Sequence, residues 1–204
     1  MIKLLLATNN QGKLIELRSL LTGLDLELVT PADLGLNLQV KESGGTYQEN
    51  AVLKATEFAK TSNLWSLADD TGLEVKALDG APGLFSARYA PQPGATDKDR
   101  RLYLLQNLEE RSRPWKAAFR CVVALSSPKG SIITQEGLCP GEIIPEERGE
   151  GGFGYDPVFF LEDHSLTMAE LTLADKNTIS HRAQAVQKIV PALMELSSTG
   201  KIFR

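Results

Sequence analysis

Cysteine and histidine are scarce: the 204-residue chain has 2 of each. Cys121 lies in an apolar run and Cys139 beside Pro140, with no metal-ligand spacing, so a zinc site of ordinary type is not expected. Such sparing cysteine use fits a reducing compartment, and a cytoplasmic location is the expectation. A basic excess is also missing. Lysine and arginine number 22 against 26 acidic residues, a net charge of −4, and Asp99 interrupts the longest basic cluster, Lys98 with Arg100 and Arg101. Nucleic acid is therefore not an expected partner, because a polyanionic backbone needs a concentrated positive face, whereas a few local lysines can still serve a small phosphate. Long apolar runs are absent too. Met1 to Leu6 is too short for a signal peptide, and no stretch approaches the roughly 18 apolar residues that span a bilayer, so no membrane partner is expected. With no internal repeat, low-complexity tract or linker, and 42% hydrophobic residues to build a core, residues 1–204 read as a single domain.

What is present alternates between strand and helix. Leu4 to Ala7 reads as a buried strand, Thr8 to Gly12 as a turn, and Leu14, Leu17, Leu20 and Leu21 recur at helical spacing. Leu26 to Val29 reads as a second strand and Thr46 to Lys60 as a longer helix. Trp65 to Ala68 reads as a strand that ends at Asp69-Asp70-Thr71-Gly72, with alternation resuming over Leu73 to Leu78. A charged helix is expected from about Asp97 to Glu110. Ala118 to Leu125 and Ser131 to Glu136 read as antiparallel partners, Val158 to Leu161 as a strand, and the last helix starts near Ser180 with Pro191 inside it. The pattern is a mixed α/β fold built on one long central sheet.

Four segments carry candidate chemistry. Thr8-Asn9-Asn10-Gln11-Gly12-Lys13 joins a strand to a helix N-terminus, where backbone amides and the helix dipole favour an anion such as phosphate; the same residues also describe a plain polar turn. Asp69 and Asp70 adjoin each other after an apolar run, and such carboxylates must be hydrated, hydrogen-bonded or neutralised by a cation. Oxygen-only ligands suit Mg²⁺, with Glu42 or Glu49 completing the shell, although an Asx-type turn explains the pair equally well. In Gly151-Gly152-Phe153-Gly154-Tyr155-Asp156-Pro157 the glycines on either side of Phe153 leave its ring accessible for stacking on a base, unless it is a core phenylalanine of a hairpin. Lys176 and Ser180-His181-Arg182 supply donors around the start of the last helix.

Taken in order and spacing, these segments resemble the inosine triphosphate pyrophosphatase family, also called Ham1-like, from Lys3 to about Leu196. The resemblance rests on Ala7 to Lys13, Glu49-Asn50-Ala51 with Lys54-Ala55, Ala68 to Leu73, Gly80 to Gly83 with Ser86 to Tyr89, Gly151 to Pro157, Ala169 to Leu171 with Lys176, and Ser180-His181-Arg182. Asn9 and Thr71 depart from the usual pattern but keep small or hydrogen-bonding groups. Lys41 stands where many members have an acid. The resemblance implies an elongated, two-lobed mixed sheet flanked by helices with a central substrate cleft, acting as a homodimer. It implies hydrolysis of inosine, deoxyinosine and xanthosine triphosphates to the monophosphate and pyrophosphate. The loop from Thr8 to Lys13, with Lys54 and Thr71, would hold the triphosphate; Asp69, Asp70 and Glu42 would surround Mg²⁺, and Asp70 would activate water. Phe153, Gly154, Tyr155 and Asp156 would line the base site, with Lys176, His181 and Arg182 pointing donors at the keto oxygens.

Overall fold

Strand β1 (Ile2–Leu6) and helix α1 (Gln11–Leu20) open the chain, followed by β2 (Leu26–Val29), α2 (Tyr47–Ser62), β3 (Trp65–Val75), α3 (Asp97–Leu108), β4 (Trp115–Ser126), β5 (Ile132–Ile143), β6 (Phe159–Leu161), β7 (Leu166–Thr167), α4 (Leu173–Ile179) and α5 (His181–Thr199). This computed structural model describes residues 1–202. The strands form one 7-stranded sheet in the order β2-β1-β3-β4-β5-β6-β7. β1 pairs in parallel with β2, Leu4 opposite Leu28, and with β3, Leu4 opposite Trp65. At the other edge, β5 with β6 and β6 with β7 are antiparallel, so the sheet is mixed. The parallel part follows from its helical crossovers, whereas the antiparallel part follows from short turns.

The helix ends are written in the local sequence. Asn10 caps α1 by accepting from the Lys13 amide, Thr46 caps α2 through the Glu49 amide, and Thr96 with Asp99 forms a capping box on α3. α4, which the hydrophobic pattern does not announce, is capped by Thr172 on the Asp175 amide.

Contacts divide the chain into two compact units, the first comprising Met1–Asp70, Cys121–Gly137 and the segment from Arg182 onward, the second Thr71–Arg120 and Leu138–His181. In the first unit, Leu14 and Leu17 of α1 and Ala185, Val186, Ile189 and Leu193 of α5 pack with Leu4, Leu6, Leu67 and Val123 of the strands. In the second, Leu104 and Leu108 of α3 join Leu73, Val75, Phe119, Val158 and Phe159.

One expectation about the sheet is corrected. Asp69 and Asp70 do not end a strand; β3 runs through them for 11 residues. Thr71 has a β-branched side chain suited to a pleated strand, and Gly72 is buried there, so the apparent turn signal is overridden by tertiary pairing.

Candidate functional site

In the first unit, the end of β1 leads into the polar loop. The Ala7 amide bonds the Leu67 carbonyl at 2.8 Å, which fixes the loop against β3 two residues before Asp69. Thr8 Oγ1 accepts from the Asn10 amide at 3.2 Å, and Asn10 Oδ1 accepts from the Lys13 amide at 3.1 Å. These bonds set Lys13 in the first turn of α1, where its ammonium lies 3.0 Å from Asp69 Oδ2. Asn9, Asn10 and Gln11 are exposed, with Gly12 half-buried between them and Lys13.

Asp69 and Asp70 are both buried, yet they have different partners. Consecutive side chains on a strand leave on opposite faces, which separates two carboxylates that are adjacent in sequence. Asp69 Oδ2 takes Lys13 together with Arg182 Nε at 3.2 Å and Nη2 at 3.1 Å. Arg182 Nη1 in turn donates to Glu16 Oε2. Burial pushes the Asp69 carboxyl up, but Lys13, Arg182 and Lys54 outweigh it and hold the group well below the usual carboxylate range.

Asp70 meets Lys54 Nζ at 3.1 Å through Oδ1 and Asn50 Nδ2 at 3.2 Å through Oδ2. The same Lys54 ammonium reaches Glu42 Oε1 at 2.6 Å, so one cation bridges two carboxylates. Burial raises the Asp70 carboxyl above its ordinary value; Lys54 opposes this and Glu42 adds to it, and the net shift is upward. For Lys54 burial acts downward, but Asp70, Asp69 and Glu42 together raise it, so it stays charged.

The expected three-acid shell is therefore only partly assembled: Asp70 and Glu42 come together, while Asp69 is engaged by Lys13 and Arg182. Among the described residues, no group of three or more His, Cys, Asp and Glu is arranged to hold a metal ion. The Arg182 guanidinium, with a side chain 1% exposed, donates to Asp69 and Glu16 in the first unit. The physical reason is the cost of burying a carboxylate without a cation beside it.

In the second unit, the glycine-rich loop is built around Asp156, which is itself buried. Its Oδ2 accepts from the Phe153 amide at 2.9 Å and from Lys176 Nζ at 2.5 Å. Gly152 sits at φ +69°, and a Cβ there would meet Asp156 Oδ2 at 2.0 Å, so only glycine lets the chain fold over that carboxylate. Phe153 stays half-buried, with Lys176 Nζ 5.2 Å from its ring centroid. Tyr155 is buried and donates to the Ser86 carbonyl at 2.8 Å, and burial pushes its hydroxyl far above the usual range. The Ser86 hydroxyl accepts from the Leu73 amide at 2.9 Å, two residues beyond half-buried Thr71. His181 stacks on Phe119 at 4.7 Å and 16°. Tyr155 and Asp156 thus hold the loop from inside, and Phe153 is the member of the group with an accessible ring.

Sequence reasoning did not assign Asn50, Glu16, Asp97 or Arg101 a part in these networks. Asn50 stood inside a quoted motif. Glu16 gave no signal, because it lies away from the helical stripe formed by Leu14, Leu17 and Leu21.

The chain matches the model of the Ham1 family over residues 4–192. It is 47% identical over 189 residues to the dITP/XTP pyrophosphatase of Synechocystis sp., covering 92% of this chain and 93% of that one. It is 41% identical over 187 residues to the dITP/XTP pyrophosphatase of Bacillus subtilis, covering 91% and 93%. Among solved structures, a HAM1 protein from Coxiella burnetii aligns with a TM-score of 0.86 at 40% identity, covering 96% of this chain and all of that one (100%).

Proposed function

The chain belongs to the Ham1 family, and from that premise we propose that it is a nucleoside-triphosphate pyrophosphatase that removes non-canonical purine nucleotides from the nucleotide pool. Its substrates are inosine, deoxyinosine and xanthosine triphosphates, and its products the monophosphate and pyrophosphate. Relatives named dITP/XTP pyrophosphatase over nearly the whole chain support this reading. The observation that carries the chemistry is the pair of buried strand carboxylates, each with its own lysine: Asp69 with Lys13 and Asp70 with Lys54.

A triphosphate repels any nucleophile, so positive groups must absorb its charge before water reaches the α-phosphorus. In the first unit, Lys13, Lys54 and the loop from Thr8 to Gly12 take this role. Asp70 accepts the proton of the attacking water; burial makes its carboxylate a stronger base than a solvated aspartate. Mg²⁺ fits the donor set, since Asp70 and Glu42 already converge hard oxygens on one cationic group, and this ion binds through one or two carboxylates with waters and phosphate oxygens. When bound it would supply charge neutralisation of the triphosphate and the pyrophosphate leaving group. Asp69 supports the group by fixing Lys13 and Arg182.

In the second unit, Phe153 stacks on the purine, while Lys176 and His181 present donors to its keto oxygens. A donor opposite O6 accepts hypoxanthine or xanthine and repels the amino group of adenine, so part of the selection is unfavourable contact with the wrong base. Residues 1–204 act as one catalytic domain, working as a homodimer in the cytoplasm. No helix among the described residues is long and apolar enough to cross a membrane. A nucleotide panel assayed for pyrophosphate with and without Mg²⁺ tests the reading: release from inosine and xanthosine triphosphates only with the metal is expected, and equal release from adenosine triphosphate would overturn it.

A further inference from the structure

Helix α3 begins beside the glycine-rich loop, and two of its side chains grip a single residue there. Gly154, at φ +62°, donates its amide to Asp97 Oδ2 at 2.8 Å and receives Arg101 Nη1 on its carbonyl at 2.8 Å. Arg101 is not a solvated surface arginine. Its Nε and Nη2 form a fork on Glu147 at 2.9 and 3.0 Å, and its side chain is 11% exposed. Asp97 is likewise tied, through Oδ1, to Arg100. The capping box of Thr96 and Asp99 fixes the turn from which both residues project.

We propose that Asp97 and Arg101 are positioning residues for base recognition: by holding both backbone polar groups of Gly154 they fix the Phe153 ring in the orientation that stacks on the purine. The inference rests on the reading that Phe153 contacts the base. Phe153 is anchored on Asp156 by its amide at 2.9 Å and by its carbonyl at 3.2 Å, and Lys176 Nζ lies 5.2 Å from its ring centroid. The next residue, Gly154, has a left-handed φ that glycine adopts without strain, so the bonds to its amide and carbonyl set how the chain leaves the ring. The charged side chains of α3 supply that clamp, so the ordering cost of the loop is met on folding rather than on binding. Arg101 gives its hydrogen bonds to the Gly154 carbonyl and to Glu147, so its effect on the reaction passes through the loop.

The test uses the full-length protein with Mg²⁺ and compares kcat and KM for inosine and guanosine triphosphates. Arg101→Gln keeps a helix-compatible side chain but loses the fork. It is expected to raise KM for inosine triphosphate about tenfold, the worth of one charge-assisted hydrogen bond, to lower the preference for inosine over guanosine, and to leave kcat nearly unchanged. Asp97→Asn retains an acceptor for the Gly154 amide and keeps the wild-type KM, whereas Asp97→Ala behaves like Arg101→Gln. A lowered melting temperature with unchanged KM and preference would show a purely structural clamp and overturn the proposal, as would a loss confined to kcat. If Phe153→Ala keeps the wild-type KM for inosine triphosphate, the assignment of Phe153 to the base fails. If Phe153→Ala raises that KM and Arg101→Gln does not, only the clamp fails.

Discussion

Replacing Arg182 by methionine removes the cation that two buried carboxylates share while preserving most of the side-chain volume. In the wild type, Arg182 and Asp69 side chains are each 1% exposed and Glu16 4%, with Nη2 3.1 Å from Asp69 Oδ2. Asp69 keeps Lys13 at 3.0 Å in the variant, so the main damage falls on Glu16, which loses its guanidinium. Breaking a buried pair from one side costs about 3–5 kcal/mol. For a chain of this size that corresponds to a fall in Tm of roughly 6–20 °C. Urea unfolding followed by circular dichroism measures the cost directly, and a loss below about 1 kcal/mol would refute the view that this network is a fully desolvated ionic group.

Two companion measurements sharpen the test. Arg182→Met combined with Glu16→Met replaces both members of the buried pair and should recover much of the loss, since an apolar replacement of a whole buried pair is often close to neutral. The pH dependence also has a definite sign. Burial raises the Asp69 carboxyl, but Lys13, Arg182 and Lys54 outweigh it and leave the group depressed in the folded wild type. Its stabilisation is therefore fully present above the unfolded carboxylate value of about 3.9 and lost only as pH falls through the lower folded value. Between pH 5 and 8 the wild type is flat in this respect. The deficit of an Asp69→Asn variant should therefore be constant between pH 5 and 8, and a deficit that changed across that interval would contradict the assignment.

Two further substitutions probe the chemistry and the loop. Asp70→Asn preserves shape and the contact with Asn50 but removes the proton acceptor; pyrophosphate release should fall by about 10²–10⁴-fold with the melting temperature little changed, and a normal rate would exclude Asp70 as the base. Gly152→Ala places a methyl group 2.0 Å from Asp156 Oδ2 at φ +69°, so it should cost about 1–3 kcal/mol and raise KM for inosine triphosphate, read by thermal unfolding and initial rates.

The periodic parts of the fold were legible because their signals are local. β2 falls on Leu26 to Val29 as the apolar run predicts, and α2 begins one residue after its Thr46 cap. What the chain conceals lies in bonds between distant residues. Arg182 and Glu16 are 166 positions apart, Gly154 and Asp97 57, and Gly154 and Arg101 53. No window of sequence contains both ends of such a bond. The Asp69-Asp70 pair is the converse case: the two are adjacent in sequence, yet strand alternation gives their carboxylates different lysines.

That separation bears on the choice of cofactor. In the first unit Asp69 and Glu16 pair with the cations of Lys13 and Arg182, whereas Asp70 and Glu42 share the ammonium of Lys54, so acids outnumber cations on the Asp70 side. Such a group does not attract a triphosphate by its own charge, and the lysines best placed to meet the phosphates are already held by aspartates. A divalent cation there would be held by Asp70 and Glu42, the two acids that share Lys54, and would supply their neutralisation, leaving the Lys54 ammonium to the phosphate chain. On the Asp69 side Arg182 already does that neutralising as a permanent part of the fold. The two neighbouring aspartates thus differ in the cation across from each: a buried guanidinium beside one, and beside the other a lysine shared with a second acid.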